Sequence, residues 1–325
     1  MLEVKGVSFG YSDSMVLEDI GFNLGKGEHV SIIGESGCGK STLLKIIYGL
    51  LQLKQGSVSW NGNQVLGPDF NLVPGEKHMK YLSQDFDLMP FTTVEENVGH
   101  FLSVFHPEEM RDRTHELLHL LEMQDFANTK VKNLSGGQQQ RIALARVLAQ
   151  EPEVLLLDEP FGHIDNFRKN SLRRSLFAHL KKKRISCLVA SHDADDILPF
   201  SDQVMVLKDK KMLAFGTPQE LYQKPKTRYV ASLFGEVNLV PISWLKQYSE
   251  IDRSILVYPH EFQTSEKSGL KVQVERSFYK GSHYLNQARV YEGTETLFFN
   301  SKGALTIGDD VFLNVSLETI NLRLT

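Results

Sequence analysis

The stretch Gly34-Glu35-Ser36-Gly37-Cys38-Gly39-Lys40-Ser41-Thr42 constrains this chain more than any other. It satisfies the pattern G-x-x-x-x-G-K-[ST], which works in one setting, between a buried strand and the first turn of a helix. Val30-Ser31-Ile32-Ile33 before it is a short apolar strand, and Leu43, Leu44, Ile46 and Ile47 after it fall on one helical face. In that setting the glycines let successive backbone N–H groups point inward at phosphate oxygens, and the helix adds its positive end. Lys40 supplies charge for the β- and γ-phosphates, and the Ser41 hydroxyl is a ligand for magnesium. The loop from Gly34 to Thr42 therefore predicts binding of a nucleoside triphosphate.

Val154-Leu155-Leu156-Leu157-Asp158-Glu159 supplies the other half of such a site. Four apolar residues make a buried strand, and two carboxylates leave its C-terminal end, where open α/β sheets bind ligands. Asp158 is expected to hold magnesium through water. Glu159 is placed to polarise the water that attacks the γ-phosphate.

The pattern around these motifs predicts an α/β fold with a parallel sheet. Leu2 to Phe9 alternates as a half-buried strand does, Asp19 to Leu24 partly repeats it, and Asn61-Gly62 reads as a hairpin turn. Strands return at Val154 to Leu157, Cys187 to Ala190 and Val204 to Leu207, with a helix between the first two. From Val94 to Asn133 the pattern is helical, so a helical subdomain is inserted at about residues 90–135. Thr217-Pro218-Gln219-Glu220 starts a short helix that closes the α/β region. Beyond it come alternating runs such as Leu270 to Phe278 and Val311 to Val315, broken by turns at Lys280-Gly281 and Ile307-Gly308-Asp309. The expected organisation is a nucleotide-binding domain at residues 1–234 and a small, all-β, barrel-like domain at 235–325.

Leu134-Ser135-Gly136-Gly137-Gln138-Gln139-Gln140-Arg141 contains a serine and two glycines ahead of a helical run, Arg141 to Leu148. That is a second anion site on one chain. One nucleotide does not need two such sites, but two chains sharing each nucleotide do. With this motif the sequence closely resembles the ATP-binding cassette family, whose mark is Leu-Ser-Gly-Gly-Gln, and the resemblance covers nearly the whole chain. It implies a P-loop NTPase cassette that binds ATP and Mg2+ and works as a homodimer. Each ATP would sit between one chain's Lys40 loop and the other's Ser135, Gly136, Gly137 and Gln138. It also implies transmembrane permease subunits as partners, a peripheral position on the cytoplasmic face of the membrane, and no nucleic acid.

Further roles follow from the resemblance alone. Tyr11 looks like the aromatic that stacks on adenine. Gln84 resembles the glutamine that touches magnesium and senses the membrane subunit. Asp165 resembles the dimer-interface aspartate, and His192, after Ala190-Ser191, the histidine that contacts the γ-phosphate. One segment departs from the pattern: small residues then Leu-Asp are usual before this aspartate, whereas here the chain reads Gly162-His163-Ile164-Asp165. The C-terminal part resembles the accessory β-domain of importer ATPases for sugars, polyamines, iron, molybdate or sulfate. Gly235-Glu236-Val237-Asn238 and Val257-Tyr258-Pro259-His260-Glu261 are its markers, with Tyr258 where arginine is common. An extracytoplasmic solute-binding protein would then act indirectly. Members of the superfamily that act on nucleic acid or ribosomes carry coiled-coil insertions, tandem cassettes or zinc cysteines.

Composition agrees. A net charge of -4 gives no global attraction to nucleic acid or anionic lipid. Cys38 and Cys187 make neither a disulfide framework nor a zinc site, as suits a reducing compartment. No apolar run approaches the roughly 18 residues that cross a bilayer, and Met1-Leu2-Glu3-Val4-Lys5 lacks a signal-peptide layout. His115-Glu116-Leu117-Leu118-His119 matches a zinc-protease pattern, but Leu117 and Leu118 read as a helical core face and no third ligand stands out. Lys181-Lys182-Lys183-Arg184 reads as a solvated helix end, where positive charge complements the dipole. Cys38, among N–H groups and beside Lys40, is expected to favour its thiolate.

Overall fold

The computed structural model describes residues 1–12, 14–246, 252–265, 267–291 and 293–324. It divides into two compact units, Met1–Pro218 and Gln219–Thr325. In the first unit, β1 (Leu2–Tyr11) and β2 (Ser14–Leu24) precede β3 (His29–Ile33), the phosphate loop and α1 (Lys40–Ile47). Next come β4 (Gln55–Trp60), β5 (Asn63–Gln64) and β6 (Met79–Leu82). The helical insertion holds α2 (Val94–Gly99) and α3 (Pro107–Leu120), and leads into α4 (Gly136–Leu148). The unit ends with β7 (Val154–Asp158), α5 (Asn166–Lys183), β8 (Ser186–Ala190), α6 (Ala194–Ile197), β9 (Gln203–Lys208) and β10 (Lys211–Gly216).

A six-stranded sheet in the order β10-β9-β3-β8-β7-β6 carries this unit, and all of it is parallel except the β10 edge. An antiparallel sheet, β2-β1-β4-β5, lies in the same unit. Asn61 and Gly62, both at positive φ, turn β4 into β5 as a two-residue hairpin requires. Side-chain alternation splits the core between the two faces of the large sheet. Leu156, Leu188 and Ala190 pack with Leu43, Leu44, Ile46 and Ile47 of α1. Leu155, Leu157, Cys187 and Val189 pack with Ile142 and Leu144 of α4 and Leu176 of α5. The insertion shares that second core through Val94, Val98, Leu117 and Leu118, so the middle of the zinc-like pattern on α3 is a packing face, while His115 and His119 are exposed and Glu116 pairs with Arg113 at 2.6 Å. The basic run is likewise engaged: Lys181 bonds Gly27 O and Asp202, and Lys183 bonds Glu151 at 2.8 Å.

The second unit contains α7 (Pro218–Gln223, whose first residue closes the first unit), α8 (Arg228–Ser232), β11 (Asn238–Pro241), α9 (Ile242–Leu245) and β12 (Ser254–Val257). β13 (Phe262–Ser265), β14 (Leu270–Tyr279), β15 (Tyr284–Val290), β16 (Thr296–Ser301), β17 (Asp310–Val315) and α10 (Leu317–Leu324) follow. β11 pairs with β12, and the rest form an antiparallel sheet ordered β13-β17-β14-β15-β16. The edge strands β13 and β16 approach each other, so the sheet curls toward a barrel without its edges pairing. The compact unit begins after Pro218, whereas composition placed the change of character after Phe234. Residues 219–234 join it because Tyr222 stacks on Tyr258 at 4.5 Å, the Tyr258 hydroxyl donates to Ala231 O, and Arg323 donates to Tyr222 O. Tyr258 is therefore a core residue, 2% exposed. Among the described residues no helix is long and apolar enough to cross a membrane.

His29 on β3 is 1% exposed, and among the described residues neither ring nitrogen makes a well-formed hydrogen bond. Burial, then the Lys181 charge, lowers its pKa from 6.5 to about 4, with Asp202 opposing. Because the folded pKa is depressed, the protein keeps its full stability above pH 6.5 and loses it as pH falls toward 4, where the unfolded chain binds a proton that the folded chain refuses. Between pH 7.5 and pH 5 this one group removes about 2 kcal/mol. His29→Leu is expected to flatten the pH dependence of the urea midpoint by that amount. Equal slopes in parent and variant would assign the acid sensitivity to other groups.

Candidate nucleotide-binding site

The four adjacent parallel strands β3, β8, β7 and β6 end on the same edge of the sheet, and each delivers one part of the site. β3 runs into the phosphate loop, β8 into His192, β7 into Asp158 and Glu159, and β6 into Gln84. Neighbouring strands lie about 4.8 Å apart, so residues distant in sequence meet.

The loop has the shape its glycines allow. Gly39, at φ +105°, precedes α1, and a Cβ there would come within 2.7 Å of Leu17. A Cβ on Gly34 would come within 2.4 Å of Leu207 O. The Lys40 ammonium folds back to donate to Gly34 O at 2.7 Å and Glu35 O at 3.0 Å. Ser36, Gly37, Gly39, Lys40, Ser41, Thr42, Gln84 and Glu159 line a cleft of about 340 Å³. Tyr11 ends β1 beside it, about half-exposed, with its hydroxyl 3.5 Å from Thr42 Oγ1.

At the floor, the Ser41 hydroxyl donates to Asp158 Oδ1 at 3.0 Å, and Gln84 Nε2 lies 3.5 Å from the same oxygen. The Ser41 hydroxyl and the buried Asp158 carboxylate thus bring hard oxygen donors to one point, as suits a magnesium ion keeping several waters, and the Gln84 amide lies beside them. Tyr81 on β6 donates to Asp158 Oδ2 at 3.2 Å. Burial, followed by the Asp158 charge, pushes the Tyr81 phenol far above its ordinary pKa, so it stays a donor. No local sequence signal marks Tyr81. It is found through the register that sets β6 beside β7.

Glu159 adopts φ +50°, uncommon for a residue with a Cβ, and its N–H is held by Ala190 O at 2.9 Å. Its carboxylate meets His192 Nδ1 at 2.9 Å. The His192 turn is anchored from behind by a charge cluster that the sequence does not announce. Arg173, on α5, bonds Asp196 Oδ1 at 2.5 Å and Asp193 Oδ2 at 2.6 Å, and Lys169 bonds Asp193 at 2.8 Å. The Ser191 hydroxyl donates to Asp196 and accepts the Asp193 N–H. Burial works to raise the Asp193 pKa, but bonds from Lys169, the Asp195 N–H and Arg173 hold it at about 2. For Asp196, burial prevails and the pKa is raised.

Ser135, Gly136, Gly137 and Gln138 do not line this cleft. They open α4, which starts at Gly136, a turn before the expected Arg141. Ser135 and Gln138 form a capping box: the Ser135 hydroxyl accepts the Gln138 N–H at 3.3 Å, and Gln138 Oε1 accepts the Ser135 N–H at 2.8 Å. Asp165 is the residue before α5, exposed and with no side-chain cap bond.

This fold and cleft define an ATP-binding cassette, and comparisons with known proteins agree. The family model described as ABC transporter matches residues 17–162. The spermidine/putrescine import ATP-binding protein PotA of Clostridioides difficile (strain 630) is 31% identical, over 99% of this chain and 97% of that protein. The Fe(3+) ions import ATP-binding protein FbpC of Photorhabdus laumondii subsp. laumondii is 32% identical, over 82% of this chain and 76% of that protein. A dimeric structure of MJ0796, a bacterial ABC transporter cassette, superposes with a TM-score of 0.60 at 31% identity, covering 67% of this chain and 99% of that one. The chain belongs to the ABC transporter family, and its cassette is an ATPase.

Cys38 departs from the expectation that its surroundings favour the thiolate. Burial is the largest influence and raises the thiol pKa, while Lys40, with Nζ 4.0 Å from Sγ, opposes it without prevailing. Inactivation by N-ethylmaleimide is therefore expected to be slow at pH 7 and to rise with pH beyond the ordinary thiol range. ATP should protect, and Cys38→Ser should resist. Measured rates that saturate below pH 8 would contradict this ordering of burial over charge.

Proposed function

We propose that this chain powers import of a solute across a membrane as the ATP-hydrolysing subunit of a transporter, working as a homodimer docked on transmembrane permease subunits. It would sit at the cytoplasmic face as a peripheral protein, with an extracytoplasmic solute-binding protein acting through the permease and no nucleic-acid partner. The observation that carries this reading is the separation of two anion sites on one chain. The Lys40 loop lines the cleft, whereas the Ser135–Gly137 helix start does not. A second copy in the opposite sense would bring its Ser135, Gly136, Gly137 and Gln138 over the open side of the cleft, with Asp165 at the seam. Both relatives are named import ATP-binding proteins, which favours import. Those names differ in solute, so they do not assign one here.

In this reading the loop from Gly34 to Thr42 holds the triphosphate, Lys40 turns from Gly34 O and Glu35 O to the β- and γ-phosphates, and Tyr11 stacks on adenine. Ser41, Asp158 and Gln84 would hold Mg2+, which would supply positive charge to offset the charge that develops on the phosphates. Glu159 accepts a proton from the attacking water. His192, tied to Glu159, holds the γ-phosphate side of the site. Gln84, on the loop after β6, reports the permease to the same carboxylate cluster.

Glu159→Gln keeps the size of the side chain but removes the base. Single-turnover hydrolysis is expected to fall about 100-fold or more, while ATP binding is retained and an ATP-dependent dimer accumulates in size-exclusion chromatography. Near-parental turnover in this variant would sink the assignment.

A further inference from the structure

Gln140 follows the Leu134–Gln138 motif by two residues and has no role assigned above, yet it is 2% exposed and both ends of its amide are engaged. Nε2 donates to Glu159 O at 2.8 Å, and Oε1 accepts the His163 N–H at 2.9 Å. One side chain on α4 therefore grips the first and last residues of the turn from Glu159 to His163. That turn starts with Glu159 in the left-handed region, a conformation that persists only where neighbours over-determine it. Its own chain supplies a bond from the Gly162 N–H to Glu159 O at 3.2 Å, and β8 supplies Ala190 O. The remaining hold comes from α4. A Cβ on Gly137 would come within 2.6 Å of His163 O, so the start of the helix is pressed against the same turn.

We propose that Gln140 is a positioning residue for hydrolysis: it fixes the Glu159 backbone so that the carboxylate meets His192, and so links the placement of the Ser135–Gly137 helix to the geometry of the base. A shift of α4 along its axis pulls both bonds at once, because donor and acceptor sit on one rigid amide. The His163 ring extends the link. It lies edge-on to Phe86 with centroids 5.4 Å apart, and Phe86 follows Gln84 by two residues. The turn that holds Glu159 is thus in contact on one side with α4 and on the other with the Gln84 loop. This inference rests on the proposed role of Glu159.

The test is kinetic. Gln140→Leu removes donor and acceptor, and its single-turnover rate is expected to fall at least ten-fold, with the ATP concentration for half-saturation within two-fold of the parent. Added to Glu159→Gln, it should slow hydrolysis no further, because the group it positions is already gone. A destabilised fold would instead weaken ATP binding and multiply with Glu159→Gln. Should the leucine variant fail to purify, Gln140→Met, unbranched and similar in length, carries the same readouts. A parental rate in the soluble variant, a large loss of ATP affinity, or full multiplicativity with Glu159→Gln overturns the proposal. If Glu159→Gln is itself fully active, the proposed function fails first. If it is inactive and the Gln140 variant is parental, this inference alone falls.

Discussion

The parallel register of β3, β8, β7 and β6 is the constraint on which the rest of the first unit depends. Parallel strands need crossovers, and each crossover here places a helix on one face and returns the chain to the same edge. Every loop that leaves a strand C-terminus therefore emerges at one rim. Lys40, His192, Asp158 with Glu159, and Gln84 are neighbours for that reason. The pairing of Asp158 with Ala190 fixes their relative depth: the carboxylate strand ends level with the strand that leads to His192. Slipping one strand by a residue would reverse its faces, moving Leu155 and Leu157 away from the α4–α5 core.

Candidate site residues whose proposed function lies in local spacing are legible in the sequence. Gly34 to Thr42 identifies itself because the loop's chemistry needs those residues in that order between a strand and a helix. Asp158 and Glu159 follow from four apolar residues that end in carboxylates, and Ser135 to Gln138 from a serine and glycines at a helix start. The hairpin at Asn61-Gly62 was legible for the same reason, since both residues tolerate positive φ. The family resemblance supplied Tyr11, Gln84, Asp165 and His192, which have no distinctive local chemistry. Tyr81, Arg173 and Gln140 were not legible. Each acts on a residue brought near only by the packed sheet, through Asp158, Asp193 with Asp196, and Glu159 with His163.

Two misreadings have the same physical origin. Cys38 has neighbours in sequence that favour a thiolate, but Gly34 packs against its sulfur and burial outweighs the lysine. Residues 219–234 read as a continuation of the α/β pattern because they start with a capped helix. Their attachment is set by Tyr258 and Arg323, far along the chain, which take Tyr222 and Ala231 into the second unit's core. In both cases composition describes what surrounds a residue along the chain. Packing decides what surrounds it in space.

The departure at Gly162-His163-Ile164-Asp165 can be understood in these terms. A histidine where small residues are usual would be disruptive if its side chain entered the turn. The turn instead uses the backbone at this position: the His163 N–H binds Gln140, and its carbonyl faces Gly137, which has no Cβ to obstruct it. The side chain points outward to an exposed position against Phe86, while Ile164 fills the buried place in the α4–α5 core. The backbone therefore demands glycine across from it at Gly137 and an amide at Gln140, and leaves the 163 side chain free to vary. What the substitution adds is an aromatic contact to the Gln84 loop, worth roughly 0.5–1.5 kcal/mol for a well-packed ring pair and less where one ring is exposed. That is small against the stability of the fold. A bias of about 0.5 kcal/mol changes an equilibrium between two loop positions about two-fold, so the contact can tune the Gln84 loop without fixing it.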